Sequence, residues 1–192
     1  MRDRYAKPYT RGQKNFILYS KNEGYDISEY VDSRYNIEQM YEIYDGLCNN
    51  LDVLIYADPM LNYYSMREIK LCLINKLEIE PYVYKGFNQH QFKEIRIGLE
   101  EGVAVDGYAR KEFKSSKMKA LRVLLENEID INDFLEKDLH SNCYFYISEL
   151  SKLGVDISEY KDCIEDTAKL HKIYEQAKDN VRFNLTENET NT

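Results

Sequence analysis

Residues 92–108, FKEIRIGLEEGVAVDGY, decide the fold, because residues 66–82, MREIKLCLINKLEIEPY, are an eroded copy of them displaced by 26 positions. The displacement continues along the chain without a gap. Tyr30, Tyr56, Tyr82, Tyr108, Phe134 and Tyr160 fall in one column, and Ile27, Val53, Ile79, Val105, Ile131 and Ile157 in a second. Met40, Met66, Phe92, Met118 and Tyr144 form a third, followed three residues later by Ile43, Ile69, Ile95, Leu121 and Ile147. Apolar columns at 40, 43 and 47 have the period of one helix face and exclude a strand.

The same period aligns the punctuation. Asn36, Asn62 and Asn88 stand one residue ahead of each helical run, where a side-chain oxygen accepts a bond from an orphan N–H. Asn36 with Gln39, and Asn88 with Gln91, have capping-box spacing. Tyr35, Leu61, Phe87, Phe113 and Leu139 precede the cap, five residues before the Met/Phe/Tyr column, as a hydrophobic staple requires. The helices are expected to stop at Gly24, Asn50, Lys76, Gly102, Glu128 and Gly154, a left-handed position followed in most copies by an apolar residue. A second, shorter helix fits before the next staple. Ser28, Asp106, Asn132 and Ser158 are its expected N-caps, Pro81 suits its first position, and Pro59 closes another copy.

A 26-residue unit cannot bury its own apolar face, so stacking of neighbours must supply the core. The expected fold is all-α, an α-solenoid of about five such repeats over residues 5–161. A degenerate N-terminal copy, one residue short, has Tyr5 and Pro8 matching Tyr56 and Pro59 and Ile17 in the column of Ile43. Residues 162–182, with Ile164, Ala168, Ile173, Tyr174, Ala177 and Val181, make an amphipathic capping helix, and 183–192 a polar tail.

The strings YADP at 56–59, MREI at 66–69, EIRIGLEEG at 94–102 and DISEY at 26–30 and 156–160 resemble a tandem repeat of Firmicutes phage and mobile-element proteins. Its pattern runs Tyr-Ala-Asp-Pro, Gln-Met, Glu-Ile-Arg, Gly-Leu-Glu, Gly-Leu-Asp-Val-Ser. The resemblance covers about residues 5–160 and departs in the fifth copy, where YFYISELSK at 144–152 replaces the Glu-Ile-Arg core. That family brings no catalytic residues to transfer. It implies an accessory protein of a mobile element acting on a host or phage macromolecule, such as an anti-CRISPR-like inhibitor of a defence or nucleic-acid-processing complex.

Composition narrows the function classes. The net charge of −8 opposes a general nucleic-acid coat. Residues 1–14 carry +4, a basic arm that leaves −12 for the rest. Eighteen tyrosines and no tryptophan suit half-buried positions where a ring packs and its hydroxyl reaches water. Cys48, Cys72, Cys143 and Cys163 form no CxxC pair or zinc spacing and are expected to be reduced core thiols. No apolar run approaches membrane length and no signal-peptide core is evident, so a cytoplasmic protein is expected. The sequons at Asn184 and Asn188 are chance matches in that setting.

Binding residues are sought in outward columns. Arg67, Lys93 and Lys119, with Lys70, Arg96 and Arg122 three residues later, would form a basic ridge roughly 20 Å long at ordinary helix spacing. The ridge would hold an acidic protein surface or a nucleic-acid backbone. Glu42, Glu68 and Glu94 run beside it, so ion pairing between repeats is the competing role. The periodic Tyr column is assigned to packing, with hydroxyls at the rim, rather than to base stacking. Tyrosines outside the period, Tyr63, Tyr64, Tyr84, Tyr144 and Tyr146, are recognition candidates, since interface hot spots favour Tyr and Arg. No nucleotide, metal or hydrolase motif is present, and Asp138, His140 and Cys143 are merely near in sequence. The expected function is a non-enzymatic protein-binding module without cofactor or metal. Direct nucleic-acid binding through the ridge, and acidic mimicry of nucleic acid, are the alternatives.

Overall fold

A computed structural model describes residues 8–190, with side chains as far as Val181. The basic arm residues Arg2, Arg4 and Lys7, the Tyr5 match and the side chains of Asn184 and Asn188 lie outside the described residues. Every regular element described is helical. The long helices are α1 (Arg11–Asn22), α2 (Ile37–Cys48), α3 (Tyr63–Ile74), α4 (Gln89–Glu100), α5 (Ser115–Glu126), α6 (Ser141–Lys152) and α7 (Thr167–Thr190). Their first residues are spaced by 26 throughout, and α1 to α6 are each 12 residues long. Two compact units, Met1–Ile97 and Gly98–Thr192, divide the chain within α4. In the first, α1 packs on α2 and α2 on α3; in the second, α5 packs on α6 and α6 on α7.

Local chemistry sets each helix boundary. Asn36 and Gln39 bond reciprocally at 2.8 Å, and Asn88 with Gln91 at 2.9 and 3.1 Å, so both expected capping boxes form. Thr10 and Gln13 make a third at α1. The expected stops all have positive φ, from 56° at Asn50 to 90° at Gly24, and include Lys76 and Glu128 at 57° and 60°. After each, an N–H returns to the carbonyl five residues back, as from Leu51 to Gly46 at 3.0 Å and Val155 to Leu150 at 3.1 Å. This is the six-to-one bond of a Schellman stop. The N-terminal copy is therefore not short within its helix: α1, its cap and its stop at Gly24 keep full register.

The short segments differ from expectation in their caps. The capping carboxylates lie two residues before the expected column, at Asp26, Asp52, Asp130 and Asp156, and accept from the N–H of Ser28, Leu54, Asn132 and Ser158. An Asx turn needs its acceptor two residues upstream of the donated N–H, which places Ser28, Asn132 and Ser158 inside the turn. Asp106 also lies inside, following a cap at Ala104 that has no side-chain bond. Glu80–Val83 and Asn132–Leu135 are single α turns, whereas Ile27–Glu29, Val53–Ile55 and Val105–Gly107 are 3₁₀ turns.

In α1, α2 and α5 the third residue clasps the following copy. Gln39 donates to the carbonyls of Pro59 and Leu61 at 3.1 and 2.5 Å, and Gln13 likewise to Ser33 and Tyr35. In α5 the position is Lys117, whose buried ammonium reaches the Leu135 and Lys137 carbonyls at 2.6 Å and lies 4.0 Å from the Phe113 ring centroid. Burial pulls this lysine below its usual range. Met40, Met66, Phe92 and Met118 are wholly buried, each contributing about 2 kcal/mol by leaving water. In α1 the same column holds exposed Lys14.

Candidate interaction surface

The expected basic ridge is not an outward array of free cations. Lys70 is buried, with its ammonium 2.6 Å from a Glu42 oxygen and bonded to Asp45 as well. Arg67 holds the other Glu42 oxygen at 3.0 Å, and Arg96 pairs with Glu68 at 2.7 Å. Arg122 is buried against Glu126 in its own helix. Lys93 is exposed and Lys119 half-exposed. The sequence places Lys70 and Arg122 in an outward column, but three-residue spacing from Arg67 and Lys119 turns them toward the neighbouring helix. There an acid of the preceding copy, or of the same helix, neutralises them.

Aromatic side chains occupy those columns in α2. Tyr41 stands in the column of Arg67, and Tyr44 in that of Lys70. Phe16 and Tyr19 of α1, with Tyr25 beyond its stop, close around Tyr44 at centroid distances of 5.8 to 5.9 Å. Phe16 and Tyr25 meet Tyr44 edge-on, at 76° and 87°, an arrangement favoured by the ring quadrupole. Hydrogen bonding with Cys48 and then Tyr19 pushes the Tyr44 phenol up. The rings are locked to each other yet open to water: Tyr19 and Tyr41 are each about half exposed, and Leu18 is 58% exposed.

The face continues onto α3. Ile37, Glu38, Tyr41, Glu42, Tyr63 and Arg67 line a cleft of about 240 Å³ between α2 and α3. Tyr63 and Tyr64 pack at 3.9 Å, and the Arg67 guanidinium lies 5.9 Å from the Tyr63 centroid. These expected recognition residues thus join the aromatic face. Tyr84 stands apart, 75% exposed, with its hydroxyl donating to the Ile55 carbonyl at 3.2 Å. Tyr144 is a correction. It is buried, its hydroxyl donates to the Lys137 carbonyl at 2.7 Å and accepts from the Leu139 N–H, and it packs as the third column requires. Tyr146 clusters with Phe145, His171 and Tyr174 in the second unit.

Sequence reasoning missed Phe16, Tyr19, Tyr25, Tyr41 and Tyr44. The available signal was a break in the columns, where α2 replaces the bases of α3 with rings. Within the periodic column Tyr56 differs from expectation, since its hydroxyl is buried and bonded to the Glu42 carbonyl rather than set at a rim, while Tyr30 and Tyr160 are half-buried. Burial pushes the Tyr56 phenol well above its usual range.

His140 caps α6 by accepting the Asn142 N–H at Nδ1, while the Cys143 sulfur lies 3.1 Å from the Thr167 hydroxyl. All four cysteines are thiols rather than disulfides, with Cys72 and Cys143 buried and Cys48 and Cys163 half-buried. Among the described residues no group of three His, Cys, Asp or Glu side chains is placed to hold a metal ion, and no helix is long and apolar enough to cross a membrane. No protein-family model matches the chain, and no curated protein or solved structure is similar to it.

Proposed function

We propose that the chain is an α-solenoid that works as a non-enzymatic protein-binding module, through the aromatic face of α1 and α2. The observation that carries this reading is the set of interlocked, half-exposed rings around Tyr44. Rings already ordered against one another lose little entropy on binding, and Tyr dominates interface hot spots. The mobile-element resemblance supports a cytoplasmic partner within a bacterial defence or nucleic-acid-processing complex. The test is quantitative co-purification from the host of the wild-type chain beside a Tyr19→Ser, Tyr41→Ser variant of equal helicity. One near-stoichiometric partner should be lost with the rings. Identical partners for both chains would refute the reading.

Nucleic-acid mimicry is the second reading, favoured by the charge of the second unit. Residues 127–140 and 153–166 hold ten carboxylates and two lysines. Both lysines are already paired, Lys161 with Asp133 and Lys137 with Glu165. Reversal of Asp130, Glu136, Glu159 and Asp162 to Lys would abolish partner binding under this reading and leave it intact under the first. Direct nucleic-acid binding through the ridge is weaker, since Lys70, Arg67 and Arg96 already face carboxylates.

A further inference from the structure

We infer that the α1–α2 aromatic face takes an acidic protein segment carrying two or more aliphatic or aromatic anchors. The inference rests on the protein-binding reading and adds the chemistry of the partner. Helix α1, RGQKNFILYSKN, has three bases and no acid. Arg11, Lys14 and Leu18 are separated by three and four residues, so they share one stripe of the helix, and all three are exposed. Tyr19, four residues beyond Asn15, lies on the adjoining stripe, and Phe16 carries the surface across to Tyr41 and Tyr44. Among the described residues neither Arg11 nor Lys14 has an acidic partner, whereas Lys21 is held by Asp26 at 3.1 Å.

Two features separate this stripe from an ordinary solvated helix surface. Leu18 and Tyr19 stand side by side at 58% and 49% exposure, where the solvent side of an amphipathic helix would be polar. The cations border the rings rather than covering them. A basic or neutral segment could use the rings but would leave Arg11 and Lys14 unmatched; an acidic one pairs with both on the α1 side, its carboxylates set away from the exposed Glu38 beside Tyr41 on α2. The rings meet edge-on or tilted around Tyr44, which gives a continuous apolar surface rather than parallel slots for bases.

Panning a phage-displayed random peptide library on the immobilised full chain tests this, with enriched peptides then synthesised, fluorescently labelled and titrated. The enriched sequences should be net negative with apolar residues at regular spacing. Their affinity should fall at least about tenfold with Tyr41→Ser, as for one hot-spot ring, and also with Lys14→Glu. Both positions are exposed, so unchanged circular dichroism and melting establish that the variants fold. Neutral or basic peptides that still require Tyr41 would overturn the acidic partner and leave the protein-binding reading standing. Peptides indifferent to both Tyr19→Ser and Tyr41→Ser would overturn both. Retention of oligodeoxythymidylate that is lost with Tyr41→Ser would reassign the face to nucleic acid. A dimer in sedimentation that Tyr41→Ser dissolves would reassign it to a second copy of the chain.

Discussion

The Tyr56 hydroxyl sits 1.9 Å from the position a Cβ would take on Gly46, and from there donates to the Glu42 carbonyl at 3.0 Å. Tyr108 and Gly98 repeat the relationship at the same 1.9 Å. A glycine in mid-helix is costly in itself, so its presence here is explained by the ring it admits. Opposite Tyr82, Phe134 and Tyr160 the helix position is Cys72, Leu124 and Leu150, so the close approach belongs to the two glycine copies. Gly46→Ala should therefore destabilise by about 2 kcal/mol, since overpacking exceeds the gain in helix propensity. Combined with Tyr56→Phe, the same substitution should cost less than the sum of the two single changes. Chemical denaturation of the four chains checks this, and strict additivity would contradict the steric account.

Lys70 carries a different load. Its ammonium is buried between Glu42 and Asp45, and Lys70→Met would leave the deeply buried Glu42 carboxylate with only the half-exposed Arg67. Breaking a buried pair on one side costs about 3 kcal/mol. The urea midpoint should shift accordingly, whereas Lys93→Met, at an exposed position, should change it by less than about 0.5 kcal/mol.

Lys76 and Glu128 occupy left-handed stops at φ of 57° and 60°, where side chains other than Gly or Asn are strained. Lys76→Gly and Glu128→Gly should each raise stability by about 1 kcal/mol, seen as a higher melting temperature. A fall would mean that those side chains make contacts worth more than the backbone strain.

Stability should decline at alkaline pH. Burial, followed by the nearby Asp32 and Asp58 carboxylates, pushes Tyr35 up to about 12, and its hydroxyl donates to the Ala57 carbonyl at 2.6 Å. A folded-state value above the unfolded one, about 10, means that the folded chain holds this proton more tightly. The contribution is complete below pH about 10 and is lost as pH rises toward about 12. Tyr35→Phe should flatten that limb of the stability profile, measured by denaturation across the alkaline range. An unchanged slope would remove Tyr35 from the account.

Acid acts in the opposite direction at Asp26, whose carboxyl is pulled down to about 2 by hydrogen bonds from Ser28 and then Lys21. The unfolded chain binds this proton more readily, so stability is complete above the ordinary aspartate value of about 3.9 and fades as pH falls toward about 2. Asp26→Asn should reduce the acid slope while keeping the cap, because an amide oxygen still accepts the Ser28 N–H. A slope equal to that of the wild type would assign the acid response elsewhere.

By itself, the sequence determined the helical period, the caps at Asn36 and Asn88 and the stops from Gly24 to Gly154, because each depends on groups within six residues of one another. Such contacts follow from residue type and spacing before any two helices meet. Tertiary structure decided what the outward columns became. Lys70 is buried because α3 lies against the carboxylates of α2, and Tyr56 enters the space left by Gly46 because the chain turns back on its own helix. The ring cluster at Tyr44 draws on α1, α2 and the turn at Tyr25, so no column within a single copy could reveal it. Side chains facing outward along one helix acquire their role only when the neighbouring helix fixes their distance, burial and partner.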